Sequence, residues 1–288
     1  MKRKTKLFLT ALFLTAITAT FFLVQNSRAQ TGELRVYFFD VGQGDSIFIK
    51  TPEGKDVLID GGPNNTVLER LGEVMPFWDK NIDLVILTHP HADHINGLFD
   101  VLERYNVNEV LEPDFPATND SYQSFNQLLE SKKITKKLAD DDRDFEIEKD
   151  LRLDVLWPDQ EQGALKEINE YSVVTKLSYK NIDFLLTGDA YQENEEKIID
   201  QNLSSEFLKV AHHGSRSSTS QEFLEKVHPL ISVISVGAKN SYGHPTQDIL
   251  NRLAEVKAKV LRTDLNGTIE VDVKPDESWV IKCEKTCS

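Results

Sequence analysis

The chain has 288 residues, 40% of them hydrophobic, enough apolar material for one large domain or two small ones. It carries 33 basic and 47 acidic side chains, a net charge of −14. Five basic residues and no acids lie in the first 29 positions, so the remainder holds 28 basic against 47 acidic residues, a net of −19, which disfavours a broad, sequence-independent grip on duplex DNA.

The start, "MKRKTK", is basic, and "LFLTALFLTAITATFFLV" (residues 7–24) is an apolar run of 18. "NSRAQ" then offers small residues at Ser27 and Ala29, spaced like an export cleavage site. An export signal cut after Ala29 is expected, with an uncleaved N-terminal anchor as the alternative. Either way, residues 30–288 are expected to form one unit facing the outside of a bacterial-type membrane.

Strands recur from Glu33 onward. "ELRVYFFDV" and "DSIFIKT" are short apolar runs separated by the turn signal "GQG". "KDVLIDGG" is a third, stopped by glycines. "IDLVILTH" is nearly all apolar, as a strand covered on both faces should be. In "HINGLFDVLERY", Ile95, Leu98, Phe99 and Leu102 fall on one helical face, and "VNEVLEP" reads as another strand. The acidic "ADDDRDFEIEKD" (residues 139–150) reads as a solvated loop, a calcium site being the alternative. "LRLDVLWP", "SVVTKLSY" and "IDFLLTGD" are consecutive strands, followed by a polar-faced helix in "AYQENEEKIID". "FLKVAHH", "LISVISVG", "AKVLRT", "GTIEVDV" and "SWVIKC" add strands, with helices around 221–227 and 246–256. Helices and strands mixed through both halves predict a layered α/β fold. The two cysteines, Cys283 and Cys287, predict a small terminal loop closed by a disulfide in an exported chain.

The chemistry concentrates in "LTHPHADHING" (residues 87–97), which places His89, His91, Asp93 and His94 within six positions after a strand. Imidazole nitrogens and carboxylate oxygens suit zinc, manganese or iron. Four such groups exceed what one catalytic ion takes from one segment, which points to two divalent ions. Asp189, the pair His212 and His213, and His244 each follow a further strand. Six of the seven histidines therefore sit at C-terminal strand ends, where sites in such folds gather.

These motifs resemble the metallo-β-lactamase superfamily. "THPHADHING" is similar to its His-x-His-x-Asp-His signature, "LIDGG" to its earlier aspartate motif (Asp60), and "LLTGDA" to its bridging aspartate (Asp189). More narrowly, "FDVGQGDSIFI", "LKVAHHGS" and "SVGAKNSYGHP" resemble the extracellular hydrolase domain of the competence protein ComEC/Rec2 group and its secreted relatives, which include phosphorylcholine esterases. The resemblance spans about residues 33–273 and implies an αββα four-layer sandwich holding two Zn or Mn ions. It further implies one site of Asp93, His94, Asp189 and His213, and a second of His89, His91 and Asp189. No histidine occurs between Ile95 and Gly188, where most of the superfamily supplies another ligand; "NEYSVV" (residues 169–174) stands there, as in the ComEC group. The second site is therefore expected to load more weakly. The resemblance leaves His212 and His244, with Asp93, to catalysis, and places Asp45, Asn169, Ser172, Ser215 and Tyr242 towards substrate.

The expected function is a secreted or membrane-anchored metal-dependent hydrolase of phosphoesters or phosphodiesters. Its partner would be a phosphoester-containing substrate, at the cell surface or in nucleic acid, with no stable protein partner inferred. The alternatives are an extracellular DNA nuclease of the competence type, a lactonase or β-lactamase-like hydrolase, and a non-catalytic surface-binding protein.

Overall fold

Apolar residues alternate along most strands, and each parity finds its own core. In the computed structural model β1 (Leu34–Phe38) directs Leu34, Val36 and Phe38 between two sheets, while Tyr37 joins a cluster on the outer face. The structure describes residues 31–287 apart from 117–118, 141–143 and 160–164, together with Thr10, Leu12, Phe13 and Thr15. The export-signal or anchor reading of residues 1–29 thus lies almost wholly outside the described residues.

The first sheet is completed by β2 (Ile47–Lys50), β3 (Asp56–Ile59), β4 (Asn81–Ile86), β5 (Asn106–Glu112), β6 (Thr135–Leu138), β14 (Ile269–Val273) and β15 (Trp279–Cys283), in the order β15-β14-β1-β2-β3-β4-β5-β6. The second contains β7 (Asp144–Glu148), β8 (Leu151–Trp157), β9 (Val174–Tyr179), β10 (Ile182–Leu186), β11 (Phe207–Lys209), β12 (Ile231–Ile234) and β13 (Lys259–Arg262), in the order β13-β12-β11-β10-β9-β8-β7. Their inner faces share one core, in which Phe184 stacks on Phe207 with ring centroids 4.4 Å apart. Each such buried side chain contributes ~1.5–3 kcal/mol.

Helices cover both outer faces. α1 (Thr66–Val74), α2 (Ala92–Arg104) and α3 (Asp120–Lys132) bury Val67, Leu71, Ile95, Leu98, Phe125 and Leu129 against the first sheet. On the second sheet α4 (Gln192–Ile198), α5 (Gln221–Val227) and α6 (Gln247–Glu255) bury Ile198, Phe223, Leu224, Ile249 and Leu253. The result is the expected four-layer αββα sandwich. The unbroken apolar run of β4 is explained by it: Leu84 and Ile86 face the inner core, Ile82 and Val85 the helices.

Two expectations change. The acidic stretch 139–150 is not a loop throughout, because β7 occupies Asp144–Glu148 and turns Phe145 and Ile147 inward. Its Glu148 is buried and accepts from the Thr51 hydroxyl and the Glu53 backbone N–H, so its carboxylate is satisfied without calcium. Helix α2 also starts earlier than its apolar face suggests, at Ala92, which places Asp93 and His94 in its first turn. A carboxylate is favoured there by the helix dipole. At the C-terminus the disulfide joins Cys283 to Cys287.

Candidate metal centre

The parallel strands β3 and β4 of one sheet, and β10, β11 and β12 of the other, end at the same edge of the sandwich. Asp60 follows β3, the signature follows β4, Asp189 follows β10, and His212 and His213 follow β11. Two glycines let the first pair of loops meet: a Cβ on Gly97 would lie 1.9 Å from the Gly61 carbonyl oxygen, so α2 can approach the "LIDGG" turn only without a side chain there.

Asp60, buried and left-handed (φ 58°), anchors the signature. Thr88 donates its backbone N–H to Asp60 Oδ1 (2.8 Å) and its hydroxyl to Oδ2 (2.6 Å), while His94 Nδ1 lies 2.7 Å from Oδ2. This turns His94 Nε2 towards Asp189 Oδ2, 3.3 Å away. His213 is aimed the same way: its Nδ1 donates to the Ser235 carbonyl (2.9 Å), leaving Nε2 3.2 Å from Asp93 Oδ2 and 3.5 Å from Asp189 Oδ2. Ligating histidines are generally oriented through their other ring nitrogen in this way.

Asp93, His94, Asp189 and His213 therefore each present a ligand atom within 4.8 Å of the others. His94 Nε2 and Asp189 Oδ1 are buried with no hydrogen-bond partner, a costly state for polar atoms that a divalent cation would relieve. The nitrogen and oxygen donor set fits such an ion. Beside it, His89 Nε2 lies 3.0 Å from His91 Nδ1 and 3.9 Å from Asp189 Oδ2, converging more loosely on a second position.

The backbone after β11 is strained to achieve this. His212 (φ 50°), His213 (φ 54°) and Gly214 (φ 82°) are left-handed in succession, and for the two histidines this conformation costs of order 1–2 kcal/mol per residue. The turn sends His213 inward and His212 to the cleft. Glu195 on α4 clasps the following segment by accepting from the Ser220 N–H (2.8 Å) and the Thr219 N–H.

Beneath the cluster Lys209, fully buried, donates to the Gly188 carbonyl (2.8 Å) and pairs with Asp45, whose Oδ1 is 3.4 Å from His213 Nδ1. Replacing Lys209 by Met should destabilise the metal-free fold by ~3–5 kcal/mol, because buried Asp45 loses its lysine partner and keeps only the more distant His213. Lys209→Met with Asp45→Asn should recover part of the loss. Urea midpoints of the two variants test this, and equal midpoints would refute a charge-based role.

A cleft of about 320 Å³ opens on the cluster, lined by Gln43, His91, Ala92, Asp93, Asp189, His212, His213, Tyr242 and His244. His212 Nε2 is 3.4 Å from Asn169 Nδ2, and His244 stacks against exposed Tyr242 with its ring 5.8 Å from His212. His244 is not among the clustered ligands. Of the five residues placed towards substrate, Tyr242 lines this cleft and the other four stand behind or beside it. Asp45 is buried on Lys209, and Ser172 is buried with its hydroxyl accepting from the Asp189 N–H (3.2 Å), so both support the site from behind. Ser215 hydrogen-bonds Ser217 (3.0 Å) outside the cleft lining, while Asn169 is buried behind His212. Sequence reasoning passed over Gln43, Thr88, Glu195 and Lys209; the lone lysine in the apolar strand "FLKVA" is the one visible signal.

Burial opposes charge on both inner histidines, yet carboxylates prevail. Asp189 and Asp60 hold His94 well above the ordinary histidine range, and Asp189, Asp45 and Asp93 push His213 up to about 10. Asp93, despite burial, is held below the usual carboxylate range by His213 and His94. Burial brings His212 down to about 4 and also lowers His244, so both are neutral near pH 7. The metal-free cluster thus carries protons where an ion would bind, and uptake must expel them. With both inner histidines protonated at neutral pH, metal affinity should rise by up to ~100-fold per pH unit between pH 6 and 8. Competition titrations against a chelator, corrected for its own protonation, measure this; an affinity independent of pH would contradict the assignment.

The metallo-β-lactamase superfamily model matches residues 39–238, more than half of the chain. The chain is 32% identical over 263 residues to ComE operon protein 3 of Bacillus subtilis, covering 85% of this chain and 34% of that protein. It is 28% identical to Recombination protein 2 of Haemophilus influenzae, covering 82% and 28%, and 29% identical to Competence protein ComA of Neisseria gonorrhoeae, covering 83% and 32%. The chain spans about a third of the length of these relatives. Among solved structures, the metallo-β-lactamase fold protein YhfI of Bacillus subtilis superposes with a TM-score of 0.57 at 13% identity, covering 82% of this chain and 99% of that one. From its sheets, its helix layers and the matched family model, the chain belongs to the metallo-β-lactamase superfamily.

Proposed function

We propose that the protein is a metal-dependent phosphoesterase, acting on phosphodiester bonds outside the cytoplasmic membrane and held there, or released, through its N-terminal segment. The observation that carries this reading is the convergence of Asp93, His94, Asp189 and His213 at the floor of a cleft whose far wall is His212 and His244. Asp93, His94, Asp189 and His213, and more loosely His89 and His91, would hold divalent ions, which when bound would supply Lewis acidity and a water activated near neutral pH. The chain's own groups do the rest. Asp93, ionised and open to the cleft, orients the attacking water. His244, neutral near pH 7, donates an N–H hydrogen bond to an equatorial oxygen of the phosphoryl group, where charge grows in the transition state, while His212, its Nε2 accepting from Asn169 and its Nδ1 on Ser217, shapes the cleft wall beside it. Asn169 holds the His212 ring, and Ser172 holds the backbone of Asp189, so both groups are positioned by their own neighbours.

A second reading, cleavage of DNA, is favoured by the likeness to relatives named for competence and recombination. The net charge of −19 outside the leader stands against tight DNA binding. Metal-loaded protein assayed on bis(p-nitrophenyl) phosphate, p-nitrophenylphosphorylcholine, single-stranded DNA and nitrocefin separates the readings. Hydrolysis of the small phosphodiesters without DNA cleavage supports the first; DNA cleavage alone supports the second; nitrocefin turnover alone overturns both.

A further inference from the structure

The end of the sandwich opposite the cleft carries an exposed aromatic pair. Phe77 (77% exposed) and Trp78 (39% exposed) pack edge to face, 4.8 Å between centroids, in the loop between α1 and β4. Leu230, 55% exposed, precedes β12 at the same end. Large apolar side chains left in water at one end of an otherwise acidic molecule need an occupant.

We infer that this end rests on a lipid bilayer, with Phe77 and Trp78 seated at headgroup level and the metal cleft facing away from the membrane. The inference rests on the anchored form of the proposed function. Three observations point to a bilayer. The first is where the chain arrives. β1 begins at this end, since Arg35 pairs with Lys50 and Lys50 with Asp56, which sets the start of β1 level with the starts of β3 and β4. Only nine residues (25–33) separate the apolar run ending at Val24 from Leu34, a tether of at most ~35 Å. The aromatic loop lies three strand spacings away, ~14 Å, well within that reach.

The second is charge. The connections at this end (residues 51–55, 75–80, 105, 133–134, 149–150, 180–181, 199–206, 228–230, 256–258 and 274–278) hold seven basic and seven acidic residues. The deficit of −19 therefore lies on the rest of the molecule. An anionic bilayer is therefore repelled least by this end. The third is residue type: tryptophan and phenylalanine beside a lysine, here Lys80, are what the interface between lipid and water favours. The geometry bears on the substrate. From Asn81 to His89 the chain climbs about 26 Å at ~3.3 Å per residue, so the cleft opens well above the headgroups of the protein's own membrane. Its substrate would then come from the surrounding envelope or medium.

The test uses the full chain reconstituted into vesicles of phosphatidylethanolamine and phosphatidylglycerol, with and without acyl-chain-brominated lipid. The chain has three tryptophans: Trp157 is buried in the fold, and Trp279, which opens β15 at this same end, is half-buried with its ring packed against Phe207 between the sheets. Brominated lipid should quench part of the emission, and Trp78→Phe, which keeps an apolar ring, should remove most of that quenching, leaving at most the small share of half-buried Trp279. Flotation with the vesicles but no quenching, or quenching undiminished in Trp78→Phe, overturns the inference while leaving the anchor in place. A chain that does not float with the vesicles overturns the anchored reading and the inference together.

Discussion

His213→Ala is expected to strip metal from the protein and abolish activity with it. The side chain is fixed at both ends, Nδ1 on the Ser235 carbonyl and Nε2 between Asp93 and Asp189, so no neighbour can swing in to replace it. Removing groups that merely orient a ligand costs ~10–100-fold in metal affinity, and losing the ligand itself should cost more. Elemental analysis after desalting should find less metal than in the parent chain. Retention of the full complement would remove His213 from the ligand set. The fold should survive, because the loop is held independently by Glu195 and by Arg252, which donates to the Ser218 and Thr219 carbonyls.

His244→Ala should give the opposite pattern. Its ring lies on the cleft wall beyond His212 and outside the ligand cluster, and its Nδ1 is a buried polar atom without a partner. Metal content should stay at the parent level while kcat falls ~10²–10³-fold, the usual cost of removing one donor to developing charge. Since His244 is neutral near pH 7, the loss should be similar at pH 7 and pH 9. Metal lost in His244→Ala and kept in His213→Ala would exchange the two roles.

Much of this was legible in the sequence because the signals are local. The alternation in "ELRVYFF" and the unbroken apolar run of "IDLVIL" follow from what each strand face touches, and the layers confirm both. The signature, Asp189 and His213 were legible as a resemblance, and the structure brings His94, Asp93, Asp189 and His213 together. What stayed hidden depends on distant partners. Nothing in "GQGDS" announces that Asp45 will be buried on Lys209, 164 positions later, nor that Ser172 will hold the backbone of Asp189. β7 was hidden by composition: Phe145 and Ile147 alternate among acids, and only the edge of the second sheet gives those two a core to enter. The left-handed run at His212 and His213 was also invisible, because even histidine, which tolerates that conformation better than most residues, adopts it rarely, and only the loop's closure imposes it twice in succession.

The most direct test of the account is hydrolysis of bis(p-nitrophenyl) phosphate by chelator-stripped protein as Zn²⁺ or Mn²⁺ is returned, one equivalent at a time, alongside Asp189→Asn. Asp189 belongs to both metal positions, so its amide should weaken both. The account predicts no turnover in the stripped chain, recovery on reloading with the first ion held more tightly than the second, and no recovery in Asp189→Asn. Turnover without metal, or undiminished turnover in Asp189→Asn, would contradict it.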